Sequence, residues 1–144
     1  MSRPDFRFFV TNRVRFSEID AQSVVFNSRY LEYFDFAMVE YWRAVGVIAD
    51  GGQFEPPPMH VVKALVEFRA PIMMDERIDI GVRCSRVGTS SMTCLFELHG
   101  FGRDDLRASG EEVYVHMSAV RGRPSPVPER LRALFEAYER RSLR

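Results

Sequence analysis

Charge of one sign, lysine, cysteine and long apolar runs are all scarce in this chain, and each shortage removes a class of protein. Twenty basic residues meet twenty acidic ones, so no bulk charge draws the chain to nucleic acid or another polyanion. Nineteen of the basic residues are arginine and only Lys63 is lysine. Arginine suits bidentate phosphate recognition, although a compositional bias accounts for the count equally well. Cys84 and Cys94 are too few for a disulfide framework in 144 residues; they read as small inward residues of a reduced core. No apolar run reaches the ~18 residues of a membrane span, and Met-Ser-Arg-Pro-Asp lacks a signal-peptide pattern. The expectation is a cytoplasmic protein with no membrane partner. His60, His99 and His116 have no paired-ligand spacing, so no metal site is expected. There is no Gly-x-Ser-x-Gly for an α/β-hydrolase, and the lone Gly51-Gly52 pair makes no phosphate loop.

What is present, 46% apolar and 28% charged residues, suits one globular domain over residues 1–144 with one substantial core. Its organising stretch is 15–34, read as a strand end, a short apolar loop and the start of a long helix over 28–45. On a helical projection Tyr30, Leu31, Tyr33, Phe34, Ala37, Met38, Tyr41, Trp42, Ala44 and Val45 share one broad arc. Arg29, Glu32, Asp35, Glu40 and Arg43 take the remainder, together with Phe36 and Val39. A helix this apolar is buried on most sides, the rod around which a core forms.

Alternation marks a strand over Phe8–Ile19, with Val10, Val14 and Phe16 on one side. If that parity persists, Glu18 and Asp20 face the apolar side; a bulge would reverse them. A loop follows the helix over residues 50–58. Further strands are read from their inward sets: Val62, Ala64, Val66 and Phe68; Ile78, Ile80, Val82 and Cys84; Met92, Cys94, Phe96 and Leu98; Val113, Val115, Met117 and Ala119. A helix over 129–141 carries the stripe Leu131, Leu134, Phe135 and Tyr138. The order β-α-β-β-β-β-α implies an antiparallel sheet with one covered face.

Two chemistries compete for Asp20. Partly desolvated before Val24, Val25 and Phe26 it would be a general base; alternatively it only bonds loop amides in a turn. Asn27 and Ser28 are natural N-cap residues. The free N–H groups of that first turn, at the positive end of the helix, could also hold an oxyanion.

Arg15, Phe16, Glu18, Asp20, Val24, Val25, Phe26, Tyr30 and Leu31 resemble, in type and spacing, the signature of the hot-dog-fold thioesterases of the 4-hydroxybenzoyl-CoA thioesterase-like family. Phe68-Arg-Ala-Pro-Ile-Met-Met-Asp-Glu resembles the family's proline-containing turn. Arg86-Val-Gly-Thr-Ser-Ser resembles the turn near which members hold coenzyme A. Ser23 stands where the family usually has glycine, and Asn27 where one branch has histidine and another asparagine. The resemblance implies an α+β hot-dog fold, a curved antiparallel sheet wrapped around the long helix. It implies hydrolysis of an acyl-CoA thioester without cofactor. Asp20 would be base or nucleophile and the Asn27 amide the oxyanion donor. Val25, Phe26, Ser28, Arg86 and Ser91 are the implied substrate contacts. The rival is a non-catalytic acyl-CoA or acyl-carrier binding protein; a dehydratase lacks its histidine in the catalytic stretch. Phe36 and Val39 on the charged helix arc, with an exposed sheet edge, imply a homo-oligomer, dimer or tetramer, as the family does.

Overall fold

The helix expected over 28–45 is α1, Arg29–Val45, and its end is fixed by Gly46. At φ 97° Gly46 donates its N–H to the Trp42 and Arg43 carbonyls, a left-handed cap that favours glycine. In a computed structural model that describes residues 3–48, 56–118 and 122–144, α1 buries Tyr30, Tyr33, Phe34, Ala37, Met38, Tyr41, Trp42 and Val45. The buried arc is narrower than expected. Leu31 is exposed, as is Ala44, because α1 lies on one face of a sheet rather than inside a closed wrap.

That sheet has five antiparallel strands: β1 Phe8–Arg13, β2 Met59–Phe68, β3 Arg77–Val87, β4 Ser91–Gly100 and β5 Leu106–His116, in the order β1-β3-β4-β5-β2. The inward sets of β3 and β4 are as expected, from Ile78 to Cys84 and from Met92 to Leu98, all essentially fully buried. Cys84 and Cys94 face each other as free thiols. A second helix, α2 (Glu129–Glu139), closes the far end. Phe135 stacks on Tyr41, and Tyr138 meets Tyr41 edge-on. No helix among the described residues is long and apolar enough to cross a membrane.

Three expectations are corrected. The first strand stops at Arg13, and a 3-10 turn occupies Phe16–Glu18, so Phe16 is 76% exposed rather than inward. On β5 the inward parity is reversed. Register pairs Met92 with Tyr114, Cys94 with Glu112, Phe96 with Gly110 and Leu98 with Ala108. The helix-facing row of β5 is therefore Ala108, Gly110, Glu112 and Tyr114, and Val113 and Val115 lie on the outer face, half-buried. On β2 the predicted row does share the helix side, since Ala64, Val66 and Phe68 pair with Glu112, Gly110 and Ala108. Yet Val62 and Phe68 are exposed, because α1 meets this edge strand only in part, through Tyr30 against Phe68. Residues 50–55 of the expected loop, and Ala119, lie outside the described residues.

Helix and sheet approach tightly at Gly110. Phe34 stacks on Phe96 with ring centroids 4.3 Å apart, and a Cβ on Gly110 would collide with the Phe34 ring. Gly110→Ala is therefore expected to destabilise the fold by about 1–3 kcal/mol through overpacking, read as a lower denaturant midpoint. An unchanged midpoint would mean that the ring yields at no cost.

Candidate functional site

Between β1 and α1 the chain makes a small hairpin. Phe26 N–H donates to the Glu18 carbonyl at 2.9 Å, Ile19 bridges Val25, and Asp20 N–H donates to the Val24 carbonyl at 2.9 Å. Its tip is a turn in which Ser23 N–H reaches the Asp20 carbonyl at 3.0 Å. Ser23 itself sits at φ 63°, the left-handed position that closes such a turn and that glycine adopts most easily. The hairpin is fastened to the segment before β3 by Val25 N–H to the Ile72 carbonyl at 2.9 Å and by Met74 N–H to Ser23 at 3.2 Å.

Its anchor is Glu18. This carboxylate is 6% exposed and accepts from the Arg15 amide at 2.8 Å, the Arg15 guanidinium at 2.8 and 3.1 Å, and the Tyr33 hydroxyl at 2.9 Å. Burial pushes its pKa up, but the hydrogen bonds from Arg15 and Tyr33 and the Arg15 charge outweigh burial and hold it below its ordinary value. Burial, followed by the same bond, pushes the Tyr33 hydroxyl far up. Sequence spacing suggested Glu18 and Asp20 as an inward pair; only Glu18 is buried.

Asp20, at the hairpin tip, is half-buried. Its Oδ1 accepts the Gln22 amide at 2.8 Å, and its other oxygen has no partner among the described residues. Asn27 and Ser28 are exposed, and neither caps α1 as expected: Ser28 is already helical at φ −69°, ψ −19° and makes no side-chain cap bond. The Asn27 and Ser28 amides have no acceptor among the described residues. They remain bare donors at the positive end of α1. Val25 is buried and Phe26 is 47% exposed.

Beside the hairpin is a cavity of about 270 Å³, walled by Val24, Val25, Tyr30, Phe68 and Pro71, with Arg69 at its border. The Tyr30 and Phe68 rings meet edge to face at 4.9 Å. From Phe68 the uncovered row of β2 runs on past Ala64, which pairs with Glu112. Glu112 is buried, and that burial raises its pKa, the Tyr114 hydroxyl bond at 2.8 Å opposing and Asp35 adding to the rise. Sequence reasoning gave none of Tyr30, Phe68 and Glu112 a site role: Tyr30 entered through the helix arc and the family signature, Phe68 as an inward strand residue, and the parity read for β5 set Glu112 outward.

Asp20, Val25, Phe26, Asn27 and Ser28 are thus brought together, and Arg86 and Ser91 are not. The hairpin lies at the start of β3, since Val14 N–H meets the Glu76 carbonyl; Arg86 lies nine residues further along that strand, about 30 Å away. There Arg86 lines a cavity of about 220 Å³ with Thr89, Arg132 and Arg144. Arg132 is pinned through the Val87 and Gly88 carbonyls at 2.6 and 2.8 Å. Arg144 bonds Glu129 at 2.8 Å. Arg132 and Arg144 come from α2 and the C-terminal tail, so only the fold reveals them. Among the described residues no three His, Cys, Asp or Glu side chains gather into a group that could hold a metal.

Comparison with known proteins adds to this geometry. A family model described as the thioesterase-like superfamily matches residues 14–135. A thioesterase of Thermus thermophilus, crystallised with coenzyme A and zinc, superposes with a TM-score of 0.81 at 27% identity, over 96% of this chain and 99% of its own. A Pseudomonas aeruginosa protein gives 0.81 at 26% identity, covering 98% and 96%. A thioesterase-superfamily protein of Jannaschia gives 0.80 at 26%, covering 94% and 85%. A search of curated protein sequences found no match.

The Glu18 network predicts a pH dependence. Its folded pKa lies below the unfolded value, so the native state binds fewer protons in that window; the stabilisation is present above the unfolded pKa and is lost as pH falls through the folded one. Glu18→Gln is expected to cost about 1–3 kcal/mol at neutral pH. The difference from wild type should shrink on acidification to about pH 3, read by denaturant unfolding. A difference independent of pH would refute this role.

Proposed function

The chain belongs to the thioesterase-like superfamily, and on that premise we propose that it hydrolyses the thioester of an acyl-CoA to the free acid and CoA. The observation that carries this reading is the Glu18–Phe26 hairpin. It offers a carboxylate with one open oxygen, leads into two bare helix amides, and lends Val24 and Val25 to an apolar cavity. The acyl group packs against Val24, Val25, Tyr30 and Phe68, with Phe26 and Ser28 flanking the thioester. The carbonyl oxygen accepts from the Asn27 amide, whose bond strengthens as negative charge develops there. Asp20 removes a proton from water while the water oxygen attacks the carbonyl carbon. Collapse of the tetrahedral intermediate breaks the C–S bond, and the proton passes from Asp20 to the departing sulfur. In the other form of the mechanism an Asp20 oxygen attacks directly, and water then opens the resulting anhydride.

The carrier and the assembly belong to the same proposal. The T. thermophilus relative was crystallised with coenzyme A, and Arg86 and Arg144, with the buried Arg132 beside them, offer guanidinium groups suited to its phosphates. Those arginines are too far from the hairpin of their own chain, so they serve the hairpin of a second copy. β2 supports that pairing: Val61, Val62, Leu65 and Phe68 are all exposed along an open edge. Such an edge is a template for strand addition. Two-fold antiparallel pairing of β2 with its copy is self-complementary and sets the Arg86 end of one protomer toward the hairpin end of the other. The Asp20–Gln22 bond favours one rival, an acyl-CoA binding protein without turnover, because it turns the carboxylate to a structural use.

Two experiments decide. Asp20→Asn is expected to lower kcat by a factor on the order of 10²–10⁴, whereas Asn27→Ala, which keeps the backbone N–H, should change it little. Near wild-type turnover in Asp20→Asn would remove Asp20 from the chemistry, and acyl-CoA binding without hydrolysis by the wild type would leave the rival. Separately, Arg86→Ala should raise KM for acyl-CoA, and at substrate well below that raised KM, refolding it together with Asp20→Asn should give more activity than the two variants show separately. A monomeric mass by light scattering, or a mixture no more active than its parts, would refute the shared site.

A further inference from the structure

The sheet face turned away from α1 carries a second, unrelated constellation. β4 and β5 place Glu97 and Ser109 opposite each other, and β2 sets Glu67 opposite Ser109. One cross-strand row therefore reads Glu67, Ser109, Glu97. The next row reads Leu65, Glu111, Leu95. Together with Leu106 these side chains line a cavity of about 340 Å³, within the size range of small-molecule sites.

Glu97 is the unusual member. It is 2% exposed, and its one side-chain partner among the described residues is His99, whose Nε2 lies 2.9 Å from Oε1. His99 is fully buried, and its Nδ1 accepts the Asp105 amide at 3.0 Å. With Nδ1 accepting that amide, Nε2 is the nitrogen that donates to Glu97. The carboxylate at the base of the cavity thus has a hydrogen bond from the imidazole, which also lies 3.6 Å from Asp104, and no lysine or arginine within ion-pair distance among the described residues. The other acidic groups nearby are matched: Lys63 bonds Glu111 at 2.9 Å, Arg69 lies 3.6 Å from Glu67, and Arg3 bonds Asp79 at 2.6 Å. Arg83, on the neighbouring strand, is directed at the Phe6 ring and forms no ion pair with Glu97. A buried carboxylate is retained at low cost only when a cation meets it.

We propose that this cavity binds a small organic cation, an ammonium or guanidinium group on a short apolar body, with Glu97 as its counter-ion. Leu65, Leu95 and Leu106 take the apolar body and Ser109 offers a hydroxyl acceptor, while Glu67 and Glu111, already paired with Arg69 and Lys63, border the cavity and leave Glu97 as the carboxylate for the cation. The site lies on the opposite sheet face from the Asp20 hairpin and needs nothing from the thioesterase reaction.

Titration calorimetry of the whole protein with benzylammonium, against its neutral counterpart benzyl alcohol, tests the assignment. Saturable one-site binding is expected, at least tenfold tighter for the cation. Glu97→Gln, which keeps the His99 bond, should weaken cation binding at least tenfold and leave the alcohol unaffected. Ser109→Leu, which fills the cavity, should abolish binding and serves as the deciding variant should Glu97→Gln fail to fold. Equal affinity for the two probes, absence of saturable binding in the wild type, or unchanged binding in the variant that folds would each overturn the proposal. So would a fall in oligomer mass in Glu97→Gln, which would assign the carboxylate to a contact between copies.

Discussion

One buried carboxylate holds the candidate site in place. Glu18 gathers the Arg15 amide, the Arg15 guanidinium and the Tyr33 hydroxyl, and so ties three parts of the chain to one point. The first effect is to end β1 early: with the side chain reaching back to residue 15, residues 16–18 close a 3-10 turn instead of extending the strand. The second is to start the hairpin, because the Glu18 carbonyl accepts the Phe26 amide. The third is to set that hairpin against α1, since Tyr33 lies one turn into the helix. Asp20 and Asn27 are positioned by these bonds and supply none of them.

This explains what could be read from the sequence and what could not. Regular periodicity reports local geometry, so α1 and the inward rows of β3 and β4 were legible to within a residue or two. Phe16 was misread because its parity is right for a strand that a side-chain bond interrupts, and no pattern of apolar residues encodes that bond. β5 was misread because its helix-facing row is small and polar. Gly110 must leave room for Phe34, and Glu112 and Tyr114 satisfy each other, so the more apolar row faces outward. Ser23 was legible in another way. Its spacing marked it as standing at a glycine position, and its φ of 63° supplies the physical reason. The arginine cluster at the other end of β3 was only partly visible, because Arg86 meets Arg132 and Arg144 through tertiary packing alone.

The same packing divides the sheet. α1 meets β2 at Tyr30 and Phe68 but leaves the strand with apolar side chains open on both faces. A strand that were merely peripheral would carry charge or proline to blunt its edge. β2 carries Lys63 and Glu67 but also exposes Val61, Val62, Leu65 and Phe68, and Phe68 also walls the cavity beside the hairpin. Edge and cavity share a side chain, so whatever covers the edge also shapes the cavity. This is the physical link between the proposed assembly and the proposed chemistry.

Four carboxylates near these cavities differ only in the donors around them, and that difference assigns their work. Glu18 is buried but meets several donors, one of them charged, and is held ionised; it is an anchor. Glu112 is buried with a single hydroxyl donor and a nearby carboxylate, and burial pushes it toward the protonated form. Glu97 is buried with an imidazole as its hydrogen-bond partner and no lysine or arginine within ion-pair distance among the described residues. Asp20 alone is half-open, with one oxygen spent on a turn amide and one left over. Linkage gives the first two opposite signs. Glu18 loses its stabilisation as pH falls through its lowered pKa. Glu112, whose pKa is raised, favours the folded state below its unfolded value and loses that advantage as pH rises through the folded one. A fold that keeps both gives up stability on the neutral side to bury a carboxyl of raised pKa behind the uncovered row of β2.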